Sequence, residues 1–158
     1  MTATEPVITD PELGHGTHGD TVMRAIPQWF GIEDAIVKYT KAIDLLPTIL
    51  AKVDDQVVGF LSLKQHGPAS GELYVLGVLA EFHRQGIGRR MLERAEQWAR
   101  SNGIRFLQVK TVSEGNPDPN YALTRYWYEA MGFERLEIFP TLWDEWNPCL
   151  QYIKYLAP

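Results

Sequence analysis

The stretch VLGVLAEFHRQGIGRRML, residues 75–92, joins an apolar run to a helical pattern through two glycines separated by one residue. The apolar sequence GELYVLGVL (71–79) predicts a central strand that is buried on both faces. After the glycines, apolar residues recur three or four positions apart and predict a helix, which Asn102-Gly103 ends. These residues are Ile87, Met91, Leu92, Ala95, Trp98 and Ala99. A strand, a glycine turn and a helix start can bind an anion, because the first N–H groups of a helix have no partner within it.

The glycine turn fits neither of two common phosphate-binding loops. A dinucleotide-binding G-x-G-x-x-G/A loop requires a small residue at position 91, where this chain has Met91. A Walker loop requires a lysine after its last glycine, and no lysine directly follows Gly88. Two glycines alone therefore indicate no more than a turn that begins a helix. Three arginines, Arg84, Arg89 and Arg90, add positive charge that suits an anionic ligand.

The remaining patterns predict an α/β (α+β) fold. Two helices are expected between Asp20, a candidate N-cap, and Asp44, with a break near Pro27. PTILAKV (47–53) and VVGFLSL (57–63) are predicted to form a hairpin that precedes the central strand. After the glycine turn and its helix follow a strand, a helix and two last strands: IRFLQVKTV (104–112), YALTRYWYEAM (121–131), FERLEIF (133–139) and PCLQYIKYL (148–156). This order predicts a mixed sheet flanked by helices.

Composition and charge exclude several classes of protein. With 158 residues, 45% of them hydrophobic and 22% charged, the chain is expected to be one soluble globular domain. A net charge of -5 argues against a dedicated nucleic-acid binder. The N-terminus lacks the pattern of a secretory signal and no apolar run is long enough to span a membrane, so a cytoplasmic location is expected. Cys149 is the single cysteine, and His15 and His18 lack a third ligand, so we expect no metal site.

Two motifs together resemble those of the GCN5-related N-acetyltransferases (GNAT). VLGVLAEFHRQGIGRRML resembles motif A of that family, a strand and a corner followed by Q/R-x-x-G-x-G/A. ALTRYWYEAMGFE (122–134) resembles motif B, an aromatic-Tyr pair followed by Gly-Phe. The predicted element order also matches the family fold. The resemblance implies a single N-acetyltransferase domain over residues 1–158, with a mostly antiparallel sheet, a splayed central strand pair and acetyl-CoA as co-substrate without a metal.

The resemblance also implies which residues bind the cofactor. Amides of the splayed strand would bond the acyl carbonyl and the pantetheine arm, and amides of the glycine turn would bond the pyrophosphate. The expected set is Leu76, Gly77, Val78, His83, Arg84, Gln85, Gly86, Ile87, Gly88, Arg89 and Asn120. Asn120 could equally be a helix N-cap. His83 and Ala80 depart from the Gln or Arg and the proline that the family usually has, but neither removes the amides.

Two residues are candidates for the chemistry of acetyl transfer. Glu72, a carboxylate at the start of an otherwise apolar strand, is the candidate general base, acting directly or through water. The alternative is a strand-edge residue with its carboxylate in solvent. Tyr128 occupies the tyrosine position of motif B, which implies a hydroxyl that protonates the departing sulfur. The alternative is a tyrosine of the core.

The acceptor is expected to be a primary amine, either of a small molecule or of a peptide. The resemblance points to an acceptor pocket with candidates Trp29, Phe30, His66, Trp143 and Trp146, and Asp144 and Glu145 could attract a cation. The aromatic stretch FPTLWDEWNP (139–148) could equally be a surface loop or a contact in a homodimer. Cys149 lacks a matching base, so no cysteine acyl-enzyme is expected. A CoA-binding module without turnover is the other class of function that fits the sequence.

Overall fold

The structure is a computed structural model that describes residues 4–158. Its helices and strands follow the predicted order, with one short strand added at the start. The strands are β1 (Val7–Ile8), β2 (Thr48–Val53), β3 (Gln56–Gln65), β4 (Ser70–Val78), β5 (Phe106–Val112), β6 (Glu134–Asp144) and β7 (Asn147–Tyr155). The helices are α1 (Gly16–Ala25), α2 (Glu33–Leu45), α3 (Ile87–Ser101) and α4 (Pro119–Ala130), and one turn of 3₁₀ helix spans Ala80–Phe82.

Within residues 4–158, seven strands form one mixed sheet in the order β1-β2-β3-β4-β5-β7-β6. Neighbouring strands are antiparallel except β4 and β5, which run parallel. The parallel pairing covers only four residue pairs, from Ser70 with Phe106 to Leu73 with Val109. Beyond Leu73 the two strands separate. The predicted fold class, a mostly antiparallel sheet with a splayed central pair, is confirmed.

Helices cover both faces of the sheet, which buries its apolar side chains. A Cβ atom at Gly59 of β3 would lie 3.3 Å from Met91 of α3. The next residue, Phe60, points to the other face. On that face a Cβ atom at Gly77, the cross-strand partner of Phe60, would lie 3.5 Å from Val22 of α1. Helices α1 and α3 therefore lie on opposite faces.

Among residues 4–158, no helix combines the length and apolar character needed to cross a membrane.

Helix α1 begins at Gly16, four residues before the predicted N-cap Asp20. Packing against α2 explains the earlier start. The N–H of Gly16 donates to Asp44 Oδ1 at 3.2 Å, and a Cβ atom at Gly19 would lie only 2.6 Å from Ile43. Both contacts come from residues more than twenty positions away, so local sequence pattern does not reveal them. Asp20 instead accepts a hydrogen bond from Arg24 within the helix.

Candidate active site

The separation of β4 from β5 leaves a V-shaped gap in the middle of the sheet. Strand β4 carries an extra residue at Tyr74, because Leu63 pairs with Leu73 whereas Ser62 pairs with Val75. The N–H of Leu79 donates to the carbonyl of Val58 on β3. In an antiparallel pair every second residue bonds the same neighbour, so the backbone groups of Leu76 and Val78 face the gap. For these two residues the family resemblance implied free amides that bond the acyl carbonyl and the pantetheine arm of the cofactor.

Gly77 does not share this orientation. It lies opposite Phe60, so the same alternation turns its amide toward β3 and away from the gap. A Cβ atom at Gly77 would lie 3.1 Å from Ile26 Cδ1 and 3.3 Å from Phe60, which accounts for a glycine at this position. The expectation that Gly77 binds the cofactor through its N–H is therefore corrected. Its contribution is to let α1 pack closely on β4.

The glycine turn presents a row of free backbone donors. None of the N–H groups of residues 84–89 donates a hydrogen bond to an acceptor within residues 4–158. Arg84 and Gly86 have positive φ angles of 62° and 79°, which curl the chain just before α3. Consecutive amides in such a curl, backed by a helix N-terminus, form a concave site for an anion. We refer to these six amides, from Arg84 to Arg89, as the amide cradle.

His83 lies just before the amide cradle but does not belong to it. Its N–H donates to the carbonyl of Ala80 at 3.2 Å and closes the 3₁₀ turn, so it is not available to a phosphate. Its ring nitrogen Nε2 is 2.7 Å from the carbonyl of Val78, to which it donates, and the ring packs edge-on against Trp29. The predicted cofactor contact through the backbone of His83 is corrected. The side chain instead ties the end of β4 to the loop.

Gly88 joins the two family motifs through packing. A Cβ atom at Gly88 would lie 2.9 Å from Cζ2 of Trp127, which comes from α4. The absence of a side chain at this position thus lets α4 rest against the first turn of α3. A substitution at Gly88 would disturb this contact as well as the amide cradle. Gly86 differs, because a Cβ atom there would meet nothing within 4 Å.

Tyr128 is held rigidly while its hydroxyl has no protein partner. The residue is 4% exposed, and its ring packs against Trp127, Phe133 and Tyr152 with centroid distances of 5.3, 5.8 and 5.7 Å. The hydroxyl forms no hydrogen bond within residues 4–158, and it is not fully buried. Burial raises the pKa of the Tyr128 phenol well above its ordinary value. Tyr128 is therefore a neutral hydrogen-bond donor at physiological pH.

Arg125 is a buried residue of α4 that the sequence did not single out. Its Nη1 donates to the carbonyl of Val112 at 2.6 Å, at the end of β5, and its Nε lies 3.4 Å from Glu114. Leu123 and Tyr126 of the same helix are exposed. Helix α4 buries Arg125 and Tyr128 instead. The guanidinium fixes α4 to the far side of the gap.

Glu72 lies at the closed end of the gap, beside the last β4–β5 pair. It is 5% exposed, so the alternative of a carboxylate in solvent is wrong. Its Oε1 is 2.6 Å from Nε2 of His66, and its Oε2 is 2.9 Å from Nζ of Lys110 on β5. Lys110 was not predicted, although a charged residue within the strand FLQVKTV was a visible signal. A buried carboxylate with two nitrogen partners fits either a structural ion pair or a reactive centre.

Aromatic side chains from α2 and from the loop before it lie next to Glu72. Phe30, Tyr39 and Tyr74 form a chain of edge-to-face contacts with centroid distances of 6.3 and 5.9 Å. Trp29 donates from Nε1 to the carbonyl of Asn120 and to the hydroxyl of Thr124, both on α4. The loop between α1 and α2 is thus tied to α4. Of the predicted acceptor residues, Trp29, Phe30 and His66 lie around this region.

The tip of the β6–β7 hairpin carries Asp144 and Glu145, the residues that were predicted to attract a cation. One carboxylate oxygen of Asp144 accepts the N–H groups of Trp146 and Asn147, so this residue stabilises the turn. Trp146 is 74% exposed and Trp143 is also exposed.

Burial raises the pKa of the Cys149 thiol to about 11, so the thiol stays protonated. The prediction that no cysteine acyl-enzyme forms remains a prediction.

Asp118, not Asn120, is the N-cap of α4. Its Oδ1 accepts the N–H of Asn120 at 2.9 Å, and Pro119 is the first residue of the helix. Asn116, in the loop before α4, donates from Nδ2 to Oδ1 of Asn147. The side-chain amide of Asn120 has no hydrogen-bond partner within residues 4–158 and is half-buried. It remains a candidate for a contact with the cofactor.

The sequence model of the acetyltransferase (GNAT) family matches residues 20–133, which include the gap, the amide cradle and Tyr128. The chain belongs to this family. The family that the two motifs predicted is thereby confirmed. Acetyltransferases are acyltransferases, so the predicted class of enzyme is confirmed as well. A solved GNAT family acetyltransferase from Elizabethkingia anophelis has acetyl-CoA bound; it is 19% identical, with a TM-score of 0.71 over 96% of this chain and 98% of that one.

Other similar proteins agree with this assignment. A crystal structure from Desulfovibrio desulfuricans assigned to the GNAT family has a TM-score of 0.83 and 18% identity, and covers 97% of this chain and 100% of that one. An uncharacterized N-acetyltransferase of Chlorobaculum tepidum is 27% identical over 68% of this chain. The mycothiol acetyltransferase of Actinosynnema mirum is 24% identical over 79% of this chain. The matches span 63% and 36% of those two relatives' lengths, respectively.

The amide cradle of this GNAT protein fits the pyrophosphate of a coenzyme A derivative. Six consecutive N–H groups without acceptors match the several oxygens that a pyrophosphate offers. The gap between β4 and β5 continues from the cradle, with the backbone of Leu76 and Val78 turned toward it. Farther along, Glu72 lies beside the last β4–β5 pair, and Tyr128 packs against Tyr152, the cross-strand partner of Val109 in that pair. The residues present therefore fit a long molecule with a pyrophosphate at one end, as coenzyme A thioesters have.

Proposed function

We propose that this protein transfers the acetyl group of acetyl-CoA to a small primary amine by direct attack. The observation that carries the proposal is the amide cradle beside the N–H groups of Leu76 and Val78, which lie beyond the last β4–β5 pair. Acetyl-CoA supplies the thioester whose carbonyl carbon the amine attacks. Leu76, Val78, residues Arg84–Arg89 and Asn120 are the proposed binding residues.

Each charge that develops in the reaction has a proposed partner in the chain. The amine must give up a proton. The negative charge of Glu72 favours this step, whether the carboxylate takes the proton directly or through a neighbouring group. The carbonyl oxygen gains negative charge, which the N–H of Leu76 is oriented to stabilise. As the new C–N bond forms and the C–S bond breaks, Tyr128 donates its proton toward the sulfur. Binding both reactants in one geometry supplies much of the remaining rate.

The acceptor side favours a small amine over a peptide. Trp29 ties the α1–α2 loop to α4, and Phe30, Tyr39 and Tyr74 pack together beside Glu72. These contacts line the acceptor side with packed aromatic rings, whereas a peptide would need a long open groove. Aromatic rings can also bind a cationic amine. A peptide amino group is the second candidate acceptor.

A screen of amines and peptides with acetyl-CoA, read by the release of free thiol, tests the proposal. We expect thiol release with one class of small amine, accompanied by a mass increase of that amine by one acetyl group. Release with peptides alone would replace the small amine by the second candidate. Tight acetyl-CoA binding with no thiol release across the screen would favour a CoA-binding module without turnover.

Replacing Gly86 with Val tests the amide cradle. Valine is strained at a φ of 79°, so the curl should open and several amides should leave their positions. We expect acetyl-CoA affinity, measured by calorimetry, to fall at least tenfold, about 1.4 kcal/mol.

Gly103 offers a matched control at the other end of α3. It has a φ of 74° and, like Gly86, no close neighbour for a Cβ atom. Gly103→Val should therefore carry similar backbone strain and leave acetyl-CoA affinity unchanged. Equal affinities in the two folded variants would exclude the amide cradle as the pyrophosphate site.

A further inference from the structure

The surroundings of Glu72 leave little room for it to take a proton directly from the amine. Both carboxylate oxygens are engaged, by His66 at 2.6 Å and by Lys110 at 2.9 Å. The side chain is 6% exposed, whereas that of His66 is 34% exposed. The accessible member of the pair is therefore the imidazole.

The contact with Glu72 determines which nitrogen of His66 can accept a proton. An ionised carboxylate only accepts hydrogen bonds, so Nε2 carries the proton that it donates to Oε1. A neutral imidazole then has its lone pair on Nδ1. No group within residues 4–158 forms a hydrogen bond to this Nδ1. The N–H of His66 donates to the carbonyl of Ser70, which fixes the residue in the turn between β3 and β4.

We propose that Nδ1 of His66 is the proton acceptor for the amine and that Glu72 acts through it. This inference rests on the proposed function. A proton of the ammonium group moves to Nδ1, and the nitrogen lone pair that remains attacks the thioester carbon. Glu72 is a positioning residue that fixes the tautomer and stabilises the imidazolium. The exposed edge of the ring then releases the proton to solvent.

Charged and titratable groups approach this pair from four neighbouring elements. Lys110 on β5 contacts Glu72 directly, and Lys64 on β3 is the cross-strand partner of Glu72, with its ammonium over the ring of Tyr74. Tyr39 on α2 is the third; burial raises its pKa, and the nearby Tyr74 and Glu72 raise it further. Cys149 on β7 is the fourth; its thiol lies near Lys110 and Glu72, and burial raises its pKa to about 11. All four groups remain in place in a variant that changes only the imidazole, so an altered pH profile reports on His66.

His66→Gln tests the proposal because glutamine can still donate to Glu72 but cannot accept a proton. We expect wild-type kcat/KM to fall toward acidic pH and this acidic limb to vanish in the variant, with turnover lower by about 10²-fold and acetyl-CoA affinity unchanged. His18→Gln, a substitution of an exposed histidine on α1, should leave the profile as in the wild type. An acidic limb retained in His66→Gln, with activity within about threefold of wild type, would overturn the assignment.

NMR of the imidazole nitrogens gives a second test that does not depend on activity. We expect neutral His66 to carry its proton on Nε2 in the wild type and to lose this preference in Glu72→Gln. A proton on Nδ1 of the neutral ring would overturn the inference even if the protein acetylates amines. A wild-type protein that releases no thiol with any amine or peptide would instead overturn the proposed function, and the inference with it.

Discussion

Replacing Glu72 with Gln is expected to lower turnover by 10²-fold or more, about 2.7 kcal/mol, with acetyl-CoA affinity unchanged. Glutamine keeps the shape of the side chain but removes the charge that holds His66 and stabilises the imidazolium. The cofactor should be unaffected, because the contacts of Glu72 are with His66 and Lys110 and not with the amide cradle. Single-turnover rates and calorimetry on the same preparation measure the two quantities.

A purely structural ion pair predicts a different result for Glu72→Gln. Removing one partner of a fully buried pair typically costs about 3–5 kcal/mol of folding free energy; because the Lys110 side chain is 26% exposed, the cost here should lie below that range. Activity per folded molecule would then stay at the wild-type level. The double variant Glu72→Gln with Lys110→Met separates the two roles, since removing both charges should recover much of the stability. If it also recovers turnover, Glu72 has no part in proton transfer.

The sequence predicted those features of the site that depend on local patterns. The apolar run 71–79 indicated the central strand, and the glycine turn followed by a 3-to-4 spacing indicated the start of α3 at Ile87. Motif B placed Tyr128 on a helix, and its ring is buried there. Each of these signals lies within about twenty consecutive residues. Periodicity and turn chemistry suffice at that range.

Contacts between distant segments could not be read from the sequence. The pairing of Glu72 with Lys110 depends on the parallel register of β4 and β5, across 38 residues. The contact of Gly88 with Trp127 depends on how α4 packs on α3. The 3₁₀ turn that occupies the N–H of His83 replaced a corner that the sequence left undefined. In each case the sequence pattern singled out Glu72, Gly88 or His83, but tertiary structure determines which group each of them contacts.

Tyr128→Phe is expected to lower turnover by about 10²-fold and to preserve acetyl-CoA binding. The hydroxyl has no hydrogen-bond partner within residues 4–158, so its removal breaks no described contact, and thermal stability should change little. A tyrosine that serves only the core predicts unchanged activity per folded molecule. Tyr126→Phe, on the same helix but 73% exposed, should match the wild type in both measurements.

The pH dependence and the leaving group give Tyr128→Phe its sharpest test. Burial raises the pKa of the phenol, so its proton is lost only at a pH above the ordinary range of tyrosine. Tyr128 therefore stays protonated from about pH 6 to 9, and the variant should lose the same factor at every pH in that range, unlike His66→Gln. An acyl donor whose thiol leaves more easily needs less help from a proton donor, so the loss should shrink with such a donor. A loss that is the same for good and poor leaving groups would place the effect of Tyr128 on packing rather than on the sulfur.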